Sequence, residues 1–575
     1  MGSGMRRYES LLFKLFYFLL SATILYFIVA PVVSVFVYGL TSADGVGLSE
    51  QILPRVWRHM KNSLLVGGTV TLLATAFGLF ASLALWRLRF VGRGLMRILV
   101  LMPLISPPFV GSVAFIMLFG KRGLITHTLL GFEVSPYGFY GIVTMQTIGL
   151  ATLAYLVISS AIQKTDVTHE DAARSLGASE AQIFRTITLP LMVPEITVAA
   201  MLVFLASLSD FSTPIIIGGG FQTLASDLYI QINGLYNMRT AAISGMFLLL
   251  PCAAAFFIQR YYSGRNPVYS QAVSADVIEY QRVSRGVKTV LIFITSLFIL
   301  FVLLQYAFII VGAFTERWGY DYSFTLRHFQ TIITKESAPF INTVKLAIPV
   351  GIISSLLGVL LAYIIKSKQY VMSRQIDFLA TLPAAIPGIL LGIGYLVTFR
   401  YPLLGAGRFY LTDLDPIILL GTGIIIYLIC IYRYLYVGMK AGYALMEHLN
   451  PNLEIAAMNL GAGERRIFID IIFPLLKPAF SAAFLKNFTS SMTTLGAIIF
   501  LLLPKNKVAV QQIFTIMTSS EIGAAAMMAL MLSLLSLVLL ALFQLLLNFK
   551  ALAEYIQEVR QWGSNSRQST KHMGG

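Results

Sequence analysis

One carboxylate stands where an apolar run should exclude it. The stretch LASLSDFSTP places Asp210 among Ser207, Ser209, Ser212 and Thr213, inside a segment hydrophobic enough to cross a bilayer. A charge at mid-membrane costs about 2.5–3.5 kcal/mol on insertion scales, so it persists only where it faces a cavity or finds partners. A carboxylate ringed by hydroxyls can hold a proton or cation, or hydrogen-bond a polar solute. A second stretch, KNFTSSMTTLG, lies 284 residues downstream and offers Asn487, Ser490, Ser491, Thr493 and Thr494, with Thr494 matching Asp210 and Ser491 matching Ser207. Two polar helix faces at one depth suit a pathway between two halves of a molecule. Taken singly, each hydroxyl also suits helix–helix hydrogen bonding. Lys345 and Lys486 are further interior candidates, although long lysine side chains can reach back to an interface.

Other chemistries are poorly supplied. No paired carboxylates, metal cluster or nucleophile–base set stands out. Cys252 and Cys430 lie singly in apolar segments, which offers neither a disulfide framework nor a zinc spacing. No His or Cys stands at ligand spacing beside the polar stretches, so no metal-binding residue is assigned. The phosphate-loop pattern G-x-x-x-x-G-K-[ST] is missing, and Gly120-Lys121, the nearest echo, lacks the upstream glycine. Any ATP chemistry must come from another chain.

A different pattern is polar and doubled. EDAARSLGASEAQIFRTITLP starts at Glu170, and EIAAMNLGAGERRIFIDIIFP starts at Glu454, again at an offset of 284. In the first copy Asp166 can cap a short helix carrying Glu170 and Arg174 as an i,i+4 pair. Gly177 suits the left-handed residue that closes it. Ser179 with Gln182 forms a capping box for a second short helix, which runs to Pro190, where the next span begins. Gly463 replaces the capping serine in the second copy. The product is a helix–Gly–helix knob whose small residues allow a partner to approach closely. One copy could simply turn the chain around. Two ungapped copies point to two docking points for a two-fold-related pair of subunits.

These features need long helices to position them. The chain of 575 residues is 57% hydrophobic and 12% charged, with a mean hydropathy of +0.79. A soluble domain carries about 25% charged residues, so this is an integral membrane protein. Its net charge of +16 sits in short clusters beside apolar runs, without a nucleic-acid-reading motif. Spans of about 20 residues are required. Candidates lie near 11–40, 62–86, 95–119, 138–163, 191–218 and 240–262, then near 287–314, 340–366, 376–400, 416–440, 475–503 and 522–549. The first run is too long for a cleaved signal and reads as a retained helix. Residues 1–262 and 287–550 form two six-span modules, 263–286 a polar linker and 551–575 a tail. Arg87, Arg89, Arg93 and Arg97 follow the second span, and Lys366, Lys368 and Arg374 follow the eighth, which places both termini and both knobs in the cytoplasm.

The repeat extends upstream at an offset of 280, pairing Asn62 with Asn342, Gly78 with Gly358, Pro103 with Pro383 and Pro107 with Pro387. An even number of spans per half inserts both the same way up, unlike inverted-repeat transporters. The proline pairs read as kinks.

The pattern Glu-x-Ala-Ala-x-x-Leu-Gly-Ala, followed by Phe and then Leu-Pro or Phe-Pro, resembles the EAA coupling motif of binding-protein-dependent ABC importer permeases. In both copies the Glu stands one residue early. Asp171 fills the usual acidic position in the first copy and Ile455 in the second. The resemblance covers about 500 residues as two fused modules. With stretches such as SDFSTPIIIGG, the arrangement is most similar to the ferric-iron type.

The resemblance implies an all-α membrane protein of about twelve transmembrane helices in two pseudo-two-fold-related modules, the type I importer permease fold. It implies an inner-membrane location and no enzyme activity in this chain. A cytoplasmic ATPase homodimer, carrying ATP and Mg, would dock on Glu170, Asp171, Ala172, Ala173, Gly177 and Ala178, and on Glu454, Ala456, Ala457, Gly461 and Ala462. A periplasmic binding protein would deliver the solute. Ferric iron is the expected solute, passing without tight chelation. The same machine could serve a phosphonate, sugar phosphate, thiamine or polyamine. An ion-coupled secondary transporter built on Asp210 is the alternative of a different class.

Overall fold

Hydrocarbon offers no partners to backbone polar groups, so an apolar chain of this kind must cross it as helices. The computed structural model describes the chain apart from residues 1, 42–51, 105–108, 132–134, 165–167, 264–282, 369, 401–418, 451, 520 and 573–575. Among the described residues eleven helices are long and apolar enough to span a membrane, or twelve if one bent pair counts as a span. In chain order they are α1 (Phe13–Thr41), α2 (Ile52–Arg87), α3 (Phe109–Leu129), α4 (Phe139–Gln163), α5 (Glu180–Ser209) and α6 (Met238–Ser263). The second set is α7 (Arg285–Ala313), α8 (Ala338–Lys368), α9 (Ser373–Ala384 with Gly388–Phe399, bent by 110°), α10 (Ile424–Met446), α11 (Glu464–Met492) and α12 (Ile522–Leu547). A small antiparallel hairpin, β1 (Thr315–Arg317) and β2 (Asp321–Phe324), follows α7. The helix begun by α12 continues to His572.

The third span, expected near 95–119, begins only at Phe109 and runs to Leu129, after a separate short helix, Arg93–Leu101; the other expected spans are present, with three further differences. First, α5 and α11 begin at Glu180 and Glu464, so the second helix of each knob and the fifth span of each half are one continuous rod. Pro190 does not interrupt it, because the turn before it (Phe184–Thr188) widens to i→i+5 bonding, as does Ile467–Ile472 before Pro474. Second, these rods end early, at Ser209 and Met492, inside the two polar stretches. Third, α9 is broken rather than kinked: Pro383 and Pro387 flank its bend. Pro107, Pro108, Asp166 and linker residues 264–282 lie outside the described residues.

The two halves of the sequence are not two separate lobes. Helix α1 lies against the second half: the Tyr17 hydroxyl donates to the Val371 carbonyl at 2.9 Å, the Tyr395 hydroxyl donates to the Phe27 carbonyl at 2.7 Å, and Phe27 stacks on Tyr432. Helix α7 lies reciprocally against the first half, where the Tyr306 hydroxyl donates to the Met102 carbonyl at 2.9 Å and Phe298 packs on Phe77. Each half thus lends its first span to the other.

Lipid is as apolar as leucine, so helices here associate through close backbone approach and hydrogen bonds. The paired glycines supply that approach. A Cβ on Gly78 would sit 2.7 Å from the Tyr155 amide on α4, and one on Gly358 would sit 2.4 Å from the Leu435 carbonyl on α10. The outer face of α12, with Leu537, Val538, Leu542, Leu545 and Leu546 exposed, forms part of the lipid-facing surface. We predict that Gly358→Leu forces α8 and α10 apart at a cost of about 1–3 kcal/mol or more, lowering the thermal midpoint of the purified protein. Gly68→Leu, which meets nothing within 4 Å, leaves it unchanged. Equal midpoints for the two variants would refute the close-packing argument.

Candidate functional sites: two knobs and a central cavity

The first knob is the helix Thr168–Ser175, a turn at Gly177 and the start of α5. Gly177 has φ +84° and Gly461, in the second knob after the helix Asn452–Asn459, has φ +90°. That region favours glycine. Both turns close alike, with the Ala178 amide donating to the Ala173 carbonyl at 3.1 Å and the Ala462 amide donating to the Ala457 carbonyl at 3.0 Å. Ser179 and Gln182 form the expected capping box, and Gly463 caps without a side chain.

The expected Glu170–Arg174 pair is not formed. Glu170 turns inward, and its carboxylate takes a two-pronged bond from Arg87 at the end of α2, at 3.0 and 3.1 Å. The Thr188 hydroxyl adds a third at 2.8 Å. Both charged side chains are only 3% exposed. A fork-to-fork ion pair sealed from water outcompetes an exposed pair on one helix. Arg174 instead crosses the glycine turn to Glu180 at 2.8 Å, with Asp171 as its second partner. The bond to Glu180, then the neighbouring Asp171 charge, hold the Arg174 guanidinium above its ordinary pKa.

The second knob keeps the geometry and changes the chemistry. Ser367 stands at the position matching Arg87, and Ile472 at that matching Thr188. Glu454 accepts from the Ser367 hydroxyl at 2.7 and 2.9 Å, while Lys368 lies 3.8 Å from both Glu454 and Glu464. On both knobs the surface is mixed. Ala172, Gly177, Ala456 and Gly461 are exposed, Asp171, Ala173, Ala178 and Ala462 half-buried, and Ala457 buried. Leu176 and Leu460, not singled out as site residues from sequence, are 89% and 90% exposed at the two tips.

Between the halves lies a cavity of about 530 Å³. Ser209, Asp210, Ser212 and Thr213 line it, together with Gln146 of α4. The second half contributes Gln305, Tyr306, Arg433 and Thr493. Asp210 ends α5, and its Oδ1 accepts from the Ser212 and Thr213 amides at 2.9 and 3.1 Å and from the Ser212 hydroxyl at 2.7 Å. Its Oδ2 accepts from Gln146 Nε2 at 3.0 Å, and Gln146 Oε1 accepts from the buried Ser207 at 2.6 Å. Ser207, Asn487, Ser490, Ser491 and Thr494 are not in the lining. Asn487 donates to Ser354 and Ser355 of α8 at 2.8 and 3.0 Å, Ser491 donates to the Asn487 carbonyl, and the Ser490 carbonyl accepts from Tyr434. Lys345 and Lys486 are exposed on the outside of the bundle. Among the described residues no three His, Cys, Asp or Glu side chains cluster to hold a metal.

Gln146, Gln305, Tyr306 and Arg433 of the lining escaped the sequence reading. Gln146 gives no signal in isolation. Arg433 does: it is a guanidinium in the middle of an apolar span, the placement that marks a functional position.

Unequal anchoring has a measurable consequence. Glu170→Gln leaves Arg87 buried without its counter-charge, at a cost of about 3–5 kcal/mol. Amide hydrogen exchange in Thr168–Ser175 is expected to accelerate strongly. In Glu454→Gln, Lys368 keeps Glu464, and Asn452–Asn459 changes less. Equal acceleration in both knobs would contradict the assignment.

The sequence matches the family described as "binding-protein-dependent transport system inner membrane component" twice, over residues 74–266 and 347–548, with one knob in each match. Among curated proteins it is similar to the ferric transport system permease protein FbpB of Actinobacillus pleuropneumoniae, at 29% identity over 519 residues (87% of this chain, 73% of the relative). It is also similar to the putative ferric transport system permease protein FbpB 1 of Haemophilus influenzae, at 29% identity over 504 residues (84% and 77%). The molybdenum transport system permease protein ModB of Escherichia coli is 33% identical over 182 residues, 31% of this chain and 80% of that relative. With two family matches, a helical bundle of repeated halves and a knob in each, the chain belongs to the binding-protein-dependent transport system inner membrane components, as a fused two-module multi-pass permease.

Proposed function

We propose that this permease is the membrane subunit of an ATP-driven importer for ferric iron, served by a periplasmic binding protein and a cytoplasmic ATPase homodimer that carries ATP and Mg. The observation that carries the reading is the pair of matched knobs, each presenting an exposed leucine (Leu176, Leu460) on a polar, glycine-closed turn. A bare leucine at two equivalent tips suits a docking contact with two equivalent subunits. The basic clusters at the ends of α2 and α8, where the knobs are anchored, favour a cytoplasmic placement of both knobs and both termini. The names of two relatives support iron as the solute. A phosphonate, sugar phosphate, thiamine or polyamine would use the same machinery. Ion coupling through Asp210 is disfavoured, because four hydrogen bonds already occupy its carboxylate.

In proteoliposomes holding the permease, its ATPase and the iron-loaded binding protein, radioactive iron should accumulate only with ATP. Accumulation driven by an ion gradient without the ATPase would replace this reading with secondary transport. Gly177→Arg and Gly461→Arg strain a turn of positive φ and put bulk beside each leucine tip. Each is expected to abolish co-purification of the ATPase while the permease remains folded, and normal co-purification of both would remove the docking role. Asp210→Asn loses ionic acceptor strength toward two amides, and should slow iron-stimulated ATP hydrolysis about tenfold. Ser212→Ala, which removes one hydroxyl, should slow it less; the opposite ranking would return Asp210 to a structural role.

A further inference from the structure

The cavity takes one charged side chain from each half, and the two are satisfied in opposite ways. Asp210 is well supplied with donors: the Ser212 amide and hydroxyl and the Thr213 amide bond its Oδ1, and Gln146 bonds its Oδ2. Arg433 lines the same cavity from the middle of α10. Among the described residues it forms no ion pair, and its Nη1 is buried without a hydrogen-bond partner.

The fold makes room for this guanidinium. At the bend of α9, Gly388 lies directly beneath it: a Cβ there would meet Arg433 Nη1 at 2.2 Å and Cζ at 2.9 Å. The position matching Arg433 in the first half is Gly149, which also lines the cavity. The positive charge is therefore an addition of one half only. An ionised group within a bilayer-spanning helix is retained where it faces a cavity and has a counter-charge. Asp210 shares the cavity but is bonded to its own turn and to Gln146, and among the described residues no carboxylate pairs with Arg433. A planar fork of donors fits a carboxylate or phosphate oxyanion.

We propose that Arg433 is an anion-recognition residue: the central cavity receives an oxyanion group. Resting on the ferric-iron reading, the metal then crosses as an oxyanion complex rather than as a bare cation. The metal's positive charge is neutralised by its own ligands, and those ligands, not the iron, meet the protein. Asp210 shapes the cavity wall by capping the turn that follows α5.

The test uses the full-length permease in nanodiscs with its ATPase. Equilibrium binding is measured with radiolabelled inorganic phosphate alone and with radioactive ferric citrate. Wild type is expected to retain at least one probe. Retention of phosphate identifies a free oxyanion as sufficient, and retention of ferric citrate alone identifies the metal complex. Arg433→Gln should weaken the retained probe about tenfold or more, and Arg433→Lys less. Gly388→Ala keeps the charge but displaces the fork, and should also weaken binding. It decides the matter should Arg433→Gln fail to fold. Retention of neither probe by wild type, or equal retention by wild type and the folded variants, overturns the assignment. ATP-driven iron uptake separates this from the importer reading. Iron uptake equal in wild type and Arg433→Gln sinks the anion site alone. Phosphate binding lost in Arg433→Gln, with no iron uptake by wild type, sustains the anion site and sinks the iron reading.

Discussion

A guanidinium and a carboxylate sealed from water join the first knob to the membrane bundle. Arg87 closes α2 and Glu170 opens the knob helix, and the two-pronged bond between them fixes both orientation and distance. Because the pair is buried, neither partner can relax into solvent when the other moves. The knob is therefore mechanically continuous with α2, and through Thr188 with α5. A force applied at Leu176 reaches two spans at once.

The second knob has the same backbone turn without the fork. A serine hydroxyl and one lysine shared between two carboxylates hold Glu454. Hydroxyl and ammonium contacts at this exposure are softer and more easily exchanged for water. The duplicated segments have thus kept what sets shape, the left-handed glycine and the small residues around it, and diverged in what sets stiffness. The cavity repeats the theme. Its first-half wall carries Asp210 and Gln146, while the second half carries Arg433 where the first has Gly149.

Much of this was legible in the linear chain because it is local or periodic. Apolar runs of sufficient length gave the spans, constant offsets gave the repeat, and Ser179 with Gln182 gave a cap that the structure contains. What escaped was decided by distant partners. Glu170 has Arg174 at helical spacing, yet its partner is 83 residues upstream. Pro190 reads as a boundary, yet a widened turn carries the helix through it. Asn487 and Ser491 read as pathway residues from their match to the Asp210 stretch, yet they are occupied within the bundle. Arg433 was visible as a charge in an apolar run, but its place in the cavity depended on the bend at Gly388.

The exchange of first spans bears on how such a chain is assembled. Ribosomes release α1 long before α9 and α10, against which Tyr17 and Phe27 finally rest. The end of α1 near Gly39 meets Ala242 and Met246 of α6 in its own half, whereas its aromatic face meets its final partners only after the second half is threaded. When α7 later settles on the first half, the two halves become mutually clasped. Separating the halves would then require both clasps, at Tyr17 and Tyr395 and at Tyr306, to open together.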